Sequence, residues 1–142
     1  MTLPKPELAH SLQFEVKGDE RGSLIALEAG AQVPFEIRRV YYIYATVPGV
    51  RRGFHAHRRL QQVVVCVSGS CSFLIDNGTS QQVVRLDRPD VGLYIGAMQW
   101  REMFDFSPDC VLMVLADAVY DESDYIRSHA EFLRVLDDSP QQ

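Results

Sequence analysis

Between residues 11 and 116 the chain is divided into short apolar, β-branched and aromatic runs separated by turn-forming residues, a rhythm that suits strands and not long helices. The runs fall at residues 12–16, 24–27, 37–44, 63–67, 71–76, 82–86, 92–95 and 110–116. Gly18-Asp19-Glu20-Arg21-Gly22 reads as a hairpin or loop. Asn77-Gly78, whose residues tolerate the positive φ of a type I′ turn, reads as a tight hairpin. Strands this short and this regularly punctuated close as a sandwich or barrel. Only the end changes period. From Asp121 the apolar residues Tyr125, Phe132, Leu133 and Leu136 recur at helical spacing, with Asp121 or Ser123 placed to cap the first turn. The expected fold is therefore all-β. A small β-barrel or jelly roll over about residues 11–117 carries a C-terminal α-helix over about residues 121–136, in a single domain of residues 1–142 that ends in a frayed tail from residue 137.

A chain of 142 residues buries roughly two-thirds of its unfolded surface, enough for a core without disulfide or metal staples. The net charge is −5, and the basic residues are dispersed apart from Arg38-Arg39, Arg51-Arg52 and Arg58-Arg59. That pattern offers no tract for nucleic acid, whereas short arginine pairs suit a small anionic ligand. Cys66, Cys71 and Cys110 are odd in number and lack C-x-x-C spacing, which argues against a disulfide framework and a zinc ribbon. They read as buried thiols in a reducing compartment. Residues 1–10 lack the apolar core of a signal peptide, and no apolar run approaches the ~18 to 20 residues of a membrane span. A cytoplasmic protein with no nucleic-acid or membrane partner is expected.

The stretch Arg52-Gly53-Phe54-His55-Ala56-His57 precedes Gln61-Gln62 and the apolar run at residues 63–67. Side chains alternate along a strand, so both imidazoles look into one space, and the apolar run that follows places that space inside the barrel. The spacing from Gly49 through the histidine pair to Gly69 is similar to the first cupin motif, except that Gln62 stands where a glutamate is usual. Later in the chain, at residues 94–101, Arg101 occupies the place where a second-motif histidine would complete a metal site. A guanidinium has no lone pair to give, and two histidines with an amide hold a divalent ion poorly. No catalytic metal and no cofactor are expected. His55 and His57 then become acid/base candidates, titrating near pH 6.5 in isolation, with a pair of satisfied interior histidines as the alternative. His10 and His129 have no such context and read as surface residues.

Arg39, Tyr41 and Ile43 alternate onto one face of the run at residues 37–44. If that face is interior, Arg39 and Tyr41 share the histidine cavity, and the guanidinium needs an anion. A ligand diphosphate or a carboxylate such as Glu28 would supply one. Arg21-Gly22 offers either a ligand contact from a loop, where glycine permits close approach, or a solvated turn arginine. Trp100, Phe104 and Phe106 offer a stacking surface for a planar base, or core.

Longer blocks carry a more specific likeness. Arg21-Gly22-Ser23-Leu24, Pro34-Phe35-Glu36-Ile37-Arg38-Arg39-Val40-Tyr41-Tyr42-Ile43, the His55 block, Val67-Ser68-Gly69-Ser70, Gly92-Leu93-Tyr94-Ile95 and Tyr120-Asp121-Glu122-Ser123-Asp124-Tyr125-Ile126-Arg127 resemble the sugar 3,4-ketoisomerases that act on dTDP-4-keto-6-deoxyglucose. The likeness runs from about Phe14 to Leu133. It implies a metal-free small cupin, a homodimer with exchanged N-terminal strands, that moves a keto group from C4 to C3 of a dTDP-linked keto sugar through an enediolate. The products feed 3-amino-3,6-dideoxy sugars of bacterial surface polysaccharides, including O-antigen, and of some antibiotics. Carried over by motif, His55, His57 and Tyr41 are catalytic; one histidine of the pair is the base, with His57 the first choice and His55 the alternative. Arg39, Arg21, Gly22, Gln62, Arg101 and Trp100 contact the substrate. Members commonly have histidine where this chain has Arg101, and the Arg21-Gly22 pair implies the galacto-configured product. A non-catalytic dTDP-sugar-binding cupin, a 3,5-epimerase of dTDP-keto sugars and a metal-dependent dioxygenase are the competing readings.

Overall fold

A computed structural model describes residues 8–138. Residues 139–142 of the expected tail lie outside the described residues. Two antiparallel sheets face each other, as the turn rhythm requires. One runs in the order β1 (His10–Gln13), β9 (Val91–Ile95), β6 (Gln62–Ser68), β11 (Val111–Ala116), β4 (Arg39–Ile43). The other runs β12 (Tyr125–Ile126), β5 (Arg52–His57), β10 (Trp100–Phe104), β7 (Cys71–Asp76), β8 (Gln81–Leu86). A separate hairpin pairs β2 (Lys17–Asp19) with β3 (Gly22–Leu24), and one helix, α1 (His129–Asp138), closes the chain. This is the all-β, cupin-type barrel with a C-terminal helix.

Alternation decides what fills it. Val64 and Cys66 of β6 meet Phe73, Ile75, Leu93, Ile95, Leu112 and Val114 between the sheets. The opposite face of β6, Val63 and Val65, is covered by Phe14, Val33, Phe35 and Leu115. The central strand is thus buried on both faces, which is why it reads as an unbroken apolar run. Gly92 has a specific reason for lacking a side chain, since a Cβ there would stand 2.7 Å from the Phe14 ring.

The structure corrects three local expectations. The turn after β7 is a four-residue loop in place of a two-residue type I′ turn, because the Asn77 side-chain oxygen accepts from the backbone N–H groups of Thr79, at 2.9 Å, and Ser80, at 2.8 Å. The helix starts at His129 and not at Asp121. Asp121 instead caps a short 3-10 turn at Glu122–Asp124, accepting from the Ser123 N–H at 3.0 Å, and Tyr125–Ile126 then pairs with β5 as a strand. Ser128 takes the helix cap, its hydroxyl accepting from the Glu131 N–H at 3.3 Å. His129 is not a free surface residue either, since its Nε2 lies 2.8 Å from the Asp76 carboxylate. His10 is exposed, as read.

Phe132 and Leu136 of α1 pack with Ala56, Trp100 and Ile126, while Leu133 faces outward. The helix therefore clamps β12, and with it the segment that carries Asp124, onto β5. Phe132 is fully buried. Phe132→Ala is expected to lower the unfolding free energy by about 3–5 kcal/mol, read from the urea midpoint at unchanged slope.

Candidate active site

The site starts with a defect in β5. Pairing with β10 slips by one residue between Arg101, opposite His55, and Glu102, opposite Gly53, so Phe54 is the extra residue of a bulge. Gly53 has φ +94° and Phe54 φ +55°. Two successive left-handed residues turn the strand, and a Cβ on Gly53 would stand 3.1 Å from the Arg101 carbonyl oxygen. The bulge sets His55 over the mouth of the barrel, where its Nδ1 donates to the Gly53 carbonyl at 3.0 Å. A carbonyl only accepts, so Nδ1 carries the proton and Nε2 keeps its lone pair.

His57, two residues on, is buried beneath it, with the rings edge to face at 4.9 Å. Its Nδ1 lies 3.1 Å from Asp124 Oδ2, and its Nε2 is buried without a partner. Asp124 is also buried and accepts from the backbone N–H groups of Arg59, at 2.8 Å, and Leu60, at 3.3 Å. Tyr125, next in the chain, places its ring 5.1 Å from His55 and 4.4 Å from His57. Arg127 stacks on Tyr125 at 4.2 Å and pairs with Glu122.

The face of β4 read as interior is interior: Arg39 and Tyr41 face the site, while Val40 and Tyr42 point out. Arg39 lies over the rings of Tyr41 and Tyr120 and has no ion pair among the described residues, so Glu28 is not its partner. A cleft of about 590 Å³ opens between Arg39, Tyr41, His55, Met103, Tyr125 and Arg127. A second cavity of about 120 Å³, reached by His57, adjoins it through Arg39 and Tyr125.

Gln62 and Arg101 do not line the cleft. Both are buried behind Tyr41, where an Arg101 Nη1 donates to Gln62 Oε1 and Gln62 Nε2 donates to the Tyr41 hydroxyl at 3.1 Å. The chain has one direction. A guanidinium only donates, so Gln62 must turn its oxygen inward and its NH₂ toward Tyr41, whose own proton is left to point into the cleft. Arg101 remains a cation, although burial brings it down to about 10.

Trp100 is core rather than a contact surface in the cleft, wedged against Phe132 and His129 with its indole N–H on Glu102 at 3.0 Å. Arg21 and Gly22 stand on the β2–β3 hairpin, where Arg21 pairs with Asp19 and is exposed over 85% of its side chain. Neither lines the cleft. In the sequence, Asp124, Tyr125 and Arg127 carried no assigned role. The one available signal was the run Tyr120–Arg127 quoted above for its specificity.

A family model described as FdtA, WxcM-like, C-terminal, matches residues 8–137. The chain belongs to that family. A TDP-4-oxo-6-deoxy-α-D-glucose-3,4-oxoisomerase of Aneurinibacillus thermoaerophilus is 52% identical over 125 residues, 88% of this chain and 90% of that protein. A TDP-quinovose 3,4-ketoisomerase from Campylobacter jejuni superposes with TM-score 0.86 at 50% identity, covering 89% of this chain and 97% of that one. A sugar 3,4-ketoisomerase from Thermoanaerobacterium thermosaccharolyticum in complex with TDP gives TM-score 0.89 at 40% identity, covering 91% and 94%. A 3′-monoepimerase from Streptomyces bikiniensis, at 19% identity and TM-score 0.74, shares the fold alone.

In this family member the histidines are weak bases. Burial and the Arg101 charge lower His55 from 6.5 to about 4. Burial, then Arg101, His55 and Arg39, lower His57 to about 2, so its bond to Asp124 orients a neutral ring. Folded-state values below 6.5 mean that the unfolded chain binds protons the folded chain refuses, so stability falls as pH drops from 6.5 toward 4. The pair is expected to add up to about 1.4 kcal/mol per proton per pH unit in that window. The His55 Cε1–H resonance is expected to stay at its neutral position at pH 5, and calorimetry of His57→Asn to lose one proton from the slope.

Proposed function

We propose that this chain is a sugar 3,4-ketoisomerase that converts dTDP-4-keto-6-deoxy-D-glucose into its 3-keto isomer. The observation that carries this reading is the pairing, in one cleft, of a neutral imidazole with a free Nε2 and a phenol whose proton is directed outward. Such a pair is what proton transfer next to a carbonyl requires.

The C3–H bond lies α to the C4 ketone. His55 Nε2 takes the C3 proton as the C4 oxygen gains charge, giving an enediolate. His55 Nε2, whose proton exchanges with solvent, delivers a proton to C4, while Tyr41 gives its phenolic proton to the C4 oxygen and recovers one from the C3 hydroxyl, whose oxygen becomes the ketone. No atom or electron is gained or lost. Burial keeps the Tyr41 phenol above its ordinary value, so it stays protonated and can donate to the enediolate. Arg101, acting through Gln62, places positive charge behind that donor without touching the sugar. His57 is a positioning residue in this reading, held by Asp124 and packed edge-on against His55. That reverses the sequence-based choice of His57 as base, because His55 lines the cleft and His57 lies under it.

Arg39, free of carboxylate partners among the described residues, and Arg127 at the mouth fit the diphosphate of a dTDP sugar. The donor set suits no divalent ion: a buried cation, Arg101, sits where a further ligand would be needed. The protein is proposed to act as a homodimer with exchanged N-terminal strands, in which the exposed Arg21-Gly22 hairpin reaches the partner's cleft and the outward residues Val40, Tyr42 and Tyr44 are covered. On the Arg21-Gly22 pair we assign the galacto configuration to C4 of the product. The cytoplasm, a reducing compartment, fits the three free thiols. Among the described residues no helix is long and apolar enough to cross a membrane.

Two measurements test these roles. In deuterium oxide, His55→Asn is expected to lose exchange into the sugar by about 10²–10⁴-fold, with exchange persisting in His57→Asn at a reduced rate; the opposite pattern makes His57 the base. Tyr41→Phe is expected to lower kcat by about 10²-fold with KM little changed. A raised KM with kcat unchanged would make the phenol a binding group only. NMR of freshly formed product reads the C4 configuration directly.

A further inference from the structure

The three cysteines come from separate segments, yet their sulfurs converge within 4.8 Å of one another. The sulfurs of Cys66 and Cys110 are 3.6 Å apart. All three residues are at most 2% exposed, and none forms a disulfide. Cys66 shares the inward face of β6 with Gln62 and Val64, about 13 Å along the strand from Gln62 at the usual rise per residue. The cluster therefore lies at the end of the barrel away from the histidines, beneath the Ser68-Gly69-Ser70 turn. Cys66 and Cys110 belong to one sheet and its lead-in, and Cys71 opens a strand of the other. The isomerisation uses none of them.

Convergence of this kind is what a thiophilic cation needs. With Zn–S bonds of about 2.3 Å, three sulfurs on one tetrahedral ion stand about 3.8 Å apart, so the cluster closes on an ion with movements of about an ångström. Charge then selects among soft ions. Three thiolates around a divalent ion leave one net negative charge, whereas a monovalent ion leaves two. The Asp109 carboxylate acts on both Cys66 and Cys110, which penalises the more negative assembly further.

We propose that Cys66, Cys71 and Cys110 form a structural Zn²⁺ site that ties the two sheets together at the closed end of the barrel. The Ser68 carbonyl oxygen, 3.2 Å from the Cys66 sulfur, is the fourth donor. Binding exchanges three S–H bonds for three Zn–S bonds and releases three protons, with no change in oxidation state. Because the site forms only when the strands are in place, the ion binds the folded chain and stabilises it.

The test uses the full chain, purified under reductant with chelator and then freed of both without air. Titration with Zn²⁺ is expected to give one ion per chain, proton release and a raised melting temperature. Co²⁺ as a probe is expected to give thiolate-to-metal charge-transfer absorption with the intense visible bands of a tetrahedral site. Cys71→Ser is expected to weaken Zn²⁺ at least tenfold while keeping the wild-type circular dichroism. Should that variant misfold, wild-type protein is scored by thiol labelling, which Zn²⁺ is expected to slow at all three cysteines. Absence of binding, binding without the thiolate signature, unchanged affinity in a folded Cys71→Ser, or unprotected thiols each overturns the proposal.

Discussion

The arrangement depends most on one buried carboxylate. Asp124 accepts from two consecutive backbone N–H groups where β5 gives way to β6, and from the ring of His57. An isolated carboxylate in that place would cost several kcal/mol; solvation by three N–H groups removes most of that penalty and converts it into positional order. The contacts fix the β5–β6 connection, the tautomer of His57 and the path of the chain into β12. Tyr125 then stands against both imidazoles because it follows Asp124 by one residue on a strand. The helix holds this clamp shut from outside through Phe132.

Above the clamp the site has two depths. At the surface of the cleft are His55 and Tyr41, the groups able to touch a ligand. Beneath them His57, Gln62 and Arg101 are buried and supply orientation and charge. A guanidinium in this position affects everything near it. After burial, it is the largest influence keeping both imidazoles neutral, and it aligns the amide of Gln62 so that the phenol can only donate outward. In the proposed reaction, a neutral imidazole with a free lone pair would take the proton while the fixed donor opposite it meets the charge that develops on oxygen.

Period-two patterning made much of this legible in the sequence. It placed Arg39 with Tyr41 and His55 with His57, and it marked β6 as central. It failed where elements are too short to show a period. Tyr125–Ile126 has two residues, and Tyr125 happens to be spaced from Phe132 and Leu136 as on a helix, so the segment was absorbed into α1. The pull of Asp124 toward backbone donors, a tertiary effect, decided the outcome. Gln62 and Arg101 read in the sequence as lost metal ligands, but residue type alone could not show that each satisfies the other and so withdraws from the cleft. Arg21 is the converse case: its motif marks it for the site, while its hairpin carries it away from the cleft.

One strand joins the two chemically active ends of the barrel. Along the inward face of β6 the order is Gln62, Val64, Cys66, an amide in the catalytic chain, an apolar spacer and a thiol in the distal cluster. Val64 belongs to a layer with Phe73, Ile75, Leu93 and Leu112 that admits no polar group. The mouth carries a bulge with two left-handed residues, Gly53 and Phe54, and a second register slip falls on the β6–β11 pair between Val111 and Leu112, so irregular pairing stands at both ends of a regularly paired apolar middle.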